Sequence, residues 1–478
     1  MSRFTKLIGL LIVIGLVSLV VSACGSAPAA PKEAATEAPK AAATEAPKAA
    51  ATEAPKEAAT EAPAASQPSA EKVKITFWHH TYTVATDWMR QQVTEYQKTH
   101  PNVDIEIVEY PHGDYEVKLR AAIAAGNPPD IINMLDYLFP EFYKNKWLAP
   151  VDPASFGVAD QQGVIDAFEK PALEGMTFDG KVYGVPAEFN TFVLFMNKKH
   201  FQEVGLDAEA LSKEWMDKPI SWDEFFTLAQ KLEKKDDSGN ITRMGFNWVW
   251  RLDPFWYAQQ FWNVTQQYGC EILDKDGKAA INSPACVAAF TDTWYRLVKD
   301  KMGGPDLATA NPVYAFQDFM DERQSICMGG PWAPAAWREN APAVYENFVV
   351  APIPQKDPAN PKSFIHTYAL AVSANSKVQK ESWEFLNFLL SKPGEMYSVA
   401  GYINGRQGIF DSSELKEALR GIDVYKKEYA TGSFVWRSET WAQEGDIIKK
   451  AIEEFMQDGD VQGALDRAAT EINKVRGK

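Results

Sequence analysis

Hydrophobic and polar positions divide the chain into three stretches. From Leu7 to Val21 the residues are almost all apolar, with Arg3 and Lys6 ahead of them and Ser22-Ala23-Cys24 behind. Residues 33–40, 41–48, 49–56 and 57–64 then repeat one octapeptide, EAATEAPK with small changes, and carry no bulky apolar side chain. Beyond about residue 72 the pattern becomes that of a folded domain. Val73, Ile75 and Phe77 alternate as in a strand. Met89, Val93 and Tyr96 fall on one stripe of a helix predicted over 87–99, which Pro101 stops. Val103, Ile105 and Ile107 alternate again. Tyr115, Leu119 and Ile123 form a second helical stripe closed by Gly126, and Pro129-Asp130 leads into a buried strand at Ile131–Leu135. Strand, helix, strand, helix, strand predicts an α/β fold with a mostly parallel sheet. Such sheets bind ligands beyond the carboxyl ends of their strands. That rule selects His79-His80-Thr81-Tyr82 and Asp136-Tyr137.

A second α/β region begins near Phe192. Ser221 and Glu224 have the spacing of a capping box, ahead of a helix bearing Phe225, Leu228 and Leu232. Met244-Gly245-Phe246-Asn247 reads as a strand. Ser283-Pro284 opens another helix, with Phe290, Trp294 and Leu297 inward. The stretch 383–390 is a strongly apolar helix, and the last helix is expected over roughly residues 461–475.

The amino-terminal run is too short for the ~20 residues that spanning needs, and its basic start and small-residue end predict a secretory signal peptide over residues 1–23. Val21-Ser22-Ala23-Cys24 resembles a bacterial lipobox. The resemblance implies that the Cys24 thiol is acylated, that Cys24 begins the mature chain, and that lipid holds the protein on the outer face of a membrane. Pro39, Pro47, Pro55 and Pro63 each remove a backbone donor and keep the repeats out of helix. Residues 24–71 are therefore expected as a lipidated cysteine followed by an extended spacer, with a reach on the order of 140 Å at ~3.1 Å per residue.

The remaining segment, roughly 400 residues, exceeds what one hydrophobic core usually supports, so two domains are expected. Net charge is −15, and loss of Arg3 and Lys6 makes it two units more negative. That argues against nucleic acid or an anionic bilayer as the main partner. Tryptophan occurs at 15 positions, too many for all to be core, which points to an aromatic recognition surface. Cys270 and Cys286 are close enough in sequence to bridge in an oxidising exterior. Cys327, within Ile326-Cys327-Met328, reads as an inert buried thiol.

The order of motifs resembles that of the extracellular solute-binding proteins of ABC importers, carbohydrate type. It is carried by Lys74-Ile75-Thr76-Phe77-Trp78, Asn127-Pro128-Pro129-Asp130-Ile131-Ile132, Asp179-Gly180-Lys181-Val182-Tyr183-Gly184-Val185-Pro186 and Phe195-Met196-Asn197-Lys198. Ser221-Trp222-Asp223-Glu224-Phe225, Met328-Gly329-Gly330-Pro331-Trp332 and Trp383-Glu384-Phe385-Leu386-Asn387-Phe388-Leu389 complete it. The chain departs from the family at His366-Thr367, where a Gly-Gly is common. The resemblance implies a two-lobe fold of the periplasmic-binding-protein type (type II) with hinge crossings. Lobe 1 would be residues 72–190 with 370–408, and lobe 2 residues 191–369 with 409–478. It also implies a permease pair in the membrane as partner, and a monomeric binder.

Sugar recognition needs aromatic rings under the C–H face of a pyranose and planar polar groups at its hydroxyl edge. His80, Tyr82, Asp136, Tyr137, Glu188 and Asn190 are candidates at the strand ends and first crossing. Trp248, Trp250, Phe255 and Trp256 follow the 244–247 strand. Trp332 sits at the family's Gly-Pro-Trp position, whose ring often stacks on sugar, with glycines that allow close approach of a ligand. Tyr368, Arg406 and Trp441 complete the candidates. Trp88, Trp147, Trp222, Trp294 and Trp383 read as structural. His79-His80 can ligate a metal, hydrogen-bond a ligand or close a loop. The pair lacks a nearby cluster at ligand spacing, and neither metal nor cofactor is expected. There is no HExxH, no Gly-x-Ser-x-Gly and no phosphate loop, that is, no Gly-x-x-x-x-Gly-Lys followed by Ser or Thr. The rival readings are a secreted carbohydrate-active enzyme with paired carboxylates, and a receptor for a polyamine, peptide or sugar phosphate.

Overall fold

A computed structural model describes residues 72–248, 254–303 and 315–478. The expected signal peptide, Cys24, the repeat spacer and Trp250 lie outside the described residues.

The alternation at the start of the domain forms strand Val73–His80, with Ile75 and Phe77 completely buried. Strands Val103–Tyr110 and Ile131–Leu135 both run parallel to it. Helices Thr83–Gln97 and His112–Ala124 make the crossovers, the second ending before Gly126 at φ 75°. The first strand runs on through His79 and His80, which are therefore strand residues and not the loop expected from sequence. His79 is buried and stacks on His80 at 4.6 Å between ring centres.

The long strand Ser363–Ser373, buried along its whole length, lies antiparallel to Ile131–Leu135 and to Val185–Thr191. The short strands Leu148–Ala149 and Gly432–Ser433 also pair with it. A second sheet has the order Phe348–Ala351, Val193–Asn197, Gln324–Gly329, Ile241–Phe246, Lys234–Lys235. Helix Trp222–Leu232 packs against it, opened by the expected capping box: Ser221 Oγ accepts from Glu224 N at 3.2 Å, and Glu224 accepts from Ser221 N at 3.1 Å. A Cβ at Gly245 would lie 1.8 Å from the Ala229 carbonyl oxygen, so only glycine lets this helix settle on the strand.

The chain passes from the first sheet to the second with Phe192 alone between Val185–Thr191 and Val193–Asn197. It returns between Phe348–Ala351 and Ser363–Ser373. Helix Ile422–Ala430 holds both passages. The Tyr429 hydroxyl donates to the Phe189 carbonyl, and the buried Glu428 accepts from Ile353 N at 3.1 Å and from the Ser363 hydroxyl. The helices Trp441–Asp458 and Val461–Val475 pack on one another, and the former on helix Pro254–Thr265.

Cys270 and Cys286 are joined in a disulfide, with Cys286 on helix Pro284–Asp292. That helix ends before Trp294, which is nonetheless fully buried. Cys327 is a buried free thiol on strand Gln324–Gly329.

Candidate functional site

Between the two sheets lies a cavity of about 320 Å³. The first sheet supplies one wall by the carboxyl-end rule. His80 ends the first strand, Thr81 and Tyr82 follow it, and His112 follows the second. Glu188 comes from strand Val185–Thr191, and His366 and Tyr368 from the strand paired with it. The opposite wall is helical. Trp256 and Gln259 lie on Pro254–Thr265, and Phe316 and Met320 on Ala315–Met320. Trp332 leads into Ala333–Asn340, which adds Trp337 and Asn340.

Three rings of the helical wall meet edge to face. The Trp332 centroid lies 5.6 Å from Trp256 and 5.0 Å from Phe316, with interplanar angles of 83° and 75°. The Gly329-Gly330 pair makes this seat. A Cβ on Gly329 would fall 2.5 Å from the Phe316 ring, and one on Gly330 2.5 Å from Trp332 Nε1. These glycines thus admit the protein's own rings, rather than a ligand as the sequence suggested. On the facing wall Tyr82 stacks on Tyr402 at 5.5 Å, and His80 leans on Tyr368 at 4.6 Å. His112 Nε2 and the Tyr368 hydroxyl are 2.6 Å apart. At the rim the Tyr82 hydroxyl donates to the Trp332 carbonyl at 3.3 Å.

The floor is polar. Asn190 Nδ2 donates to Glu188 Oε1 at 2.6 Å and to His366 Nε2 at 3.1 Å. Burial pushes the Glu188 carboxyl up to about 8, offset in part by the Asn190 bond. Burial also lowers His366 to about 3 and His80 well below its ordinary value. All three are therefore held in their neutral forms near pH 7. His80 Nδ1 lies 2.7 Å from Asn133 Oδ1. Among the described residues, Gln259 Oε1, His366 Nδ1 and the Tyr402 hydroxyl are buried without a hydrogen-bond partner. No group of three His, Cys, Asp or Glu side chains among the described residues could hold a metal ion.

Of the candidates read from sequence, His80, Tyr82, Glu188, Trp256, Trp332 and Tyr368 line this cavity. Asn190 and Phe255 stand one layer behind it. Asn190 positions Glu188, and the Phe255 ring lies 5.5 Å from His366. The rest lie elsewhere. Asp136 is wholly buried, accepting from Thr367 N at 3.3 Å, and burial raises it to about 6 against the lowering effect of Arg437. Tyr137 stacks on Trp441 at 3.8 Å in an aromatic core. Trp248 is fully buried and stacks on Trp294 at 4.8 Å. Arg406 lies over the Phe156 and Phe168 rings at 5.4 and 4.8 Å and donates to Asn387 at 2.5 Å. Its place is set by aromatic packing, and it does not line this cavity.

Sequence reasoning missed His112, Gln259, Phe316, Asn340, His366 and Tyr402. The strand-end rule would have found His112 had it been applied to Val103–Tyr110. Gln259 lies three residues after Trp256, on the same helical face. The others are assembled by tertiary packing alone.

Residues 82–396 match the profile of a family described as bacterial extracellular solute-binding protein. The chain is 23% identical over 437 residues to the arabinooligosaccharide-binding protein of Bacillus subtilis, covering 86% of this chain and 94% of that one. It is 21% identical to the lactose-binding protein of Rhizobium radiobacter, covering 77% and 81%. The maltose-bound structure of MalE3 from T. maritima superposes with a TM-score of 0.71 at 20% identity, over 84% of this chain and 100% of that one. The cyclic alpha-maltosyl-1,6-maltose binding protein of Arthrobacter globiformis gives 0.64 at 21% identity, over 84% and 99%. The fold is thus the two-lobe α/β, periplasmic-binding-protein-like (type II) architecture. With well over half its length inside the profile, this chain belongs to the bacterial extracellular solute-binding proteins.

Proposed function

We propose that the protein captures a sugar or short oligosaccharide in the cavity and delivers it, unreacted, to the permease of an ABC importer. One observation carries the reading: the cavity is walled by the rings of Trp256, Phe316 and Trp332, and its described lining residues include no Lys or Arg and one carboxyl, Glu188. A ring-lined enclosure with no Lys or Arg among its described lining residues suits the C–H faces and hydroxyls of a neutral sugar. It is ill matched to a polyamine, which needs carboxylates, or to a phosphate, which needs Arg and backbone amides. Glycoside hydrolysis needs two carboxyl groups flanking the bond, and Glu188 is the one carboxyl among the described lining residues. Relatives that bind arabinooligosaccharide and lactose support the same reading.

The lobe built on the first sheet, expected over residues 72–190 with 370–408 but taking in the whole strand Ser363–Ser373, and the lobe built on the second sheet close on the ligand about the two passages between the sheets. Closure is selected by contacts made only when the lobes meet. Cys24 carries the lipid, and the repeat spacer keeps the monomeric binder close to the permease, raising its effective concentration there. No helix among the described residues is long and apolar enough to cross a membrane.

A thermal-shift screen of mono- and oligosaccharides, with spermidine and glucose 6-phosphate as charged controls, tests the proposal. A ligand that binds only the folded form raises the midpoint. A neutral sugar should do so and the controls should not; the reverse pattern would refute a sugar receptor.

A further inference from the structure

Glu188 is 4% exposed in the cavity floor, opposite Tyr368 in the strand register. One donor reaches it, Asn190 Nδ2 on Oε1, and no described residue donates to Oε2. Burial raises its carboxyl and the Asn190 bond lowers it, and no Lys or Arg is among the described residues that line the cavity. His366 and Tyr368 face it from strand Ser363–Ser373, Tyr402 from the segment after helix Pro393–Ala400, and Tyr429 from helix Ile422–Ala430. His80, Tyr82 and His112 line the same cavity. Among the described residues, a carboxylate placed there would have one donor for its several lone pairs and no Lys or Arg lining the cavity beside it.

The Asn190 amide settles the polarity of the floor. Its two hydrogens go to Glu188 Oε1 and His366 Nε2. Oε1 is thereby the carbonyl-like oxygen of Glu188, and the acid proton belongs on Oε2. The His366 proton belongs on Nδ1.

We propose that Glu188 is a specificity determinant that meets the ligand as an uncharged carboxylic acid, donating from Oε2–H to a ring, glycosidic or hydroxyl oxygen. The ligand role rests on the sugar reading above. Asn190 is the positioning residue. The more usual arrangement, a carboxylate accepting from two sugar hydroxyls, would require the opposite ligand polarity. A cationic ligand would have to strip the proton, so the same device selects against polyamines.

Two measurements on the purified protein test this. Difference infrared spectroscopy of wild type against Glu188→Gln at pH 7, without ligand, should show a carboxylic-acid C=O band that the variant lacks. Its absence overturns the proposal. Maltose, lactose and arabinobiose are then titrated into both proteins. Gln keeps a donor where the acid proton was, so the variant should still bind, with affinity reduced by less than about tenfold. Wild-type affinity should fall above about pH 8, and that of the variant should not. A loss of about tenfold or more in Glu188→Gln, or wild-type affinity that rises with pH, overturns the proposal. If none of the three sugars binds, the sugar reading fails, while the infrared band still decides the state of Glu188.

Discussion

The Tyr82 hydroxyl donates to the main-chain carbonyl of Trp332, 250 positions away in sequence, and ties the two walls of the cavity at its rim. Tyr82 lies between the first parallel strand and helix Thr83–Gln97, and Trp332 follows the Gly-Gly turn of the second sheet. One neutral hydrogen bond contributes about 0.5–1.5 kcal/mol. Tyr82→Phe should therefore weaken ligand binding by roughly two- to tenfold, through faster release, while the ring still stacks on Tyr402. Stopped-flow tryptophan fluorescence measures this, and an unchanged release rate would remove the rim bond from the closure mechanism.

Two tryptophans should respond in opposite ways to truncation. Trp332 is half-buried with its ring at the cavity, whereas Trp248 is fully buried against Trp294. Trp332→Ala should abolish the ligand-induced thermal shift with little change in unliganded stability. Trp248→Ala should cost about 3–5 kcal/mol in urea unfolding and leave the affinity of the folded fraction intact.

Stability should fall as pH rises from about 6.5 to 8. Burial holds Glu188 at about 8 and Glu428 at about 7, the latter offset by the Ser363 hydroxyl. The unfolded chain releases these protons near the ordinary value of 4.5, so above it the folded state binds more protons and loses stability with pH. The buried histidines act in the opposite sense, but only at lower pH. His79 is lowered to about 4 and His366 to about 3, so both are neutral in either state above the ordinary 6.5. Calorimetric midpoints at a series of pH values check this, and Glu188→Gln should flatten the decline. A midpoint that climbs over that window would contradict the burial of these acids.

The Cys270–Cys286 disulfide closes a loop of 16 residues in sequence separation, for which chain entropy gives about 3 kcal/mol. Neither cysteine lines the cavity. Replacing both with serine should lower the unfolding midpoint and leave ligand affinity unchanged.

Legibility in the sequence follows the range of the forces involved. Periodicity and caps are local, so the strands at Val73 and Ile131, the Ser221 capping box and the helix Val461–Val475 could all be read from the chain. Strand ends were legible one step further: His80 and Tyr82 line the cavity, whereas Asp136 and Tyr137, selected by the same rule, do not. What failed was telling a tryptophan that faces the cavity from one that faces the core. Trp248 and Trp256 sit eight residues apart with similar neighbours, and only the packing of Trp294 and Phe316 against them separates their fates. Arg406 misled for the same reason. Its neighbours in space, Phe156 and Phe168, are more than 200 positions away in the chain. The Glu188–Asn190–His366 floor was half visible, since the strand carrying His366 enters from the far end of the chain.

Isothermal titration of maltose, lactose and arabinobiose into wild type and Trp332→Ala, with the ligand recovered and analysed by NMR, probes the central claim most directly. The account predicts that wild type binds at least one of these sugars at one site per chain and returns it chemically unchanged, while Trp332→Ala gives no heat. Cleaved sugar, no binding to wild type, or equal affinity in the variant would contradict it.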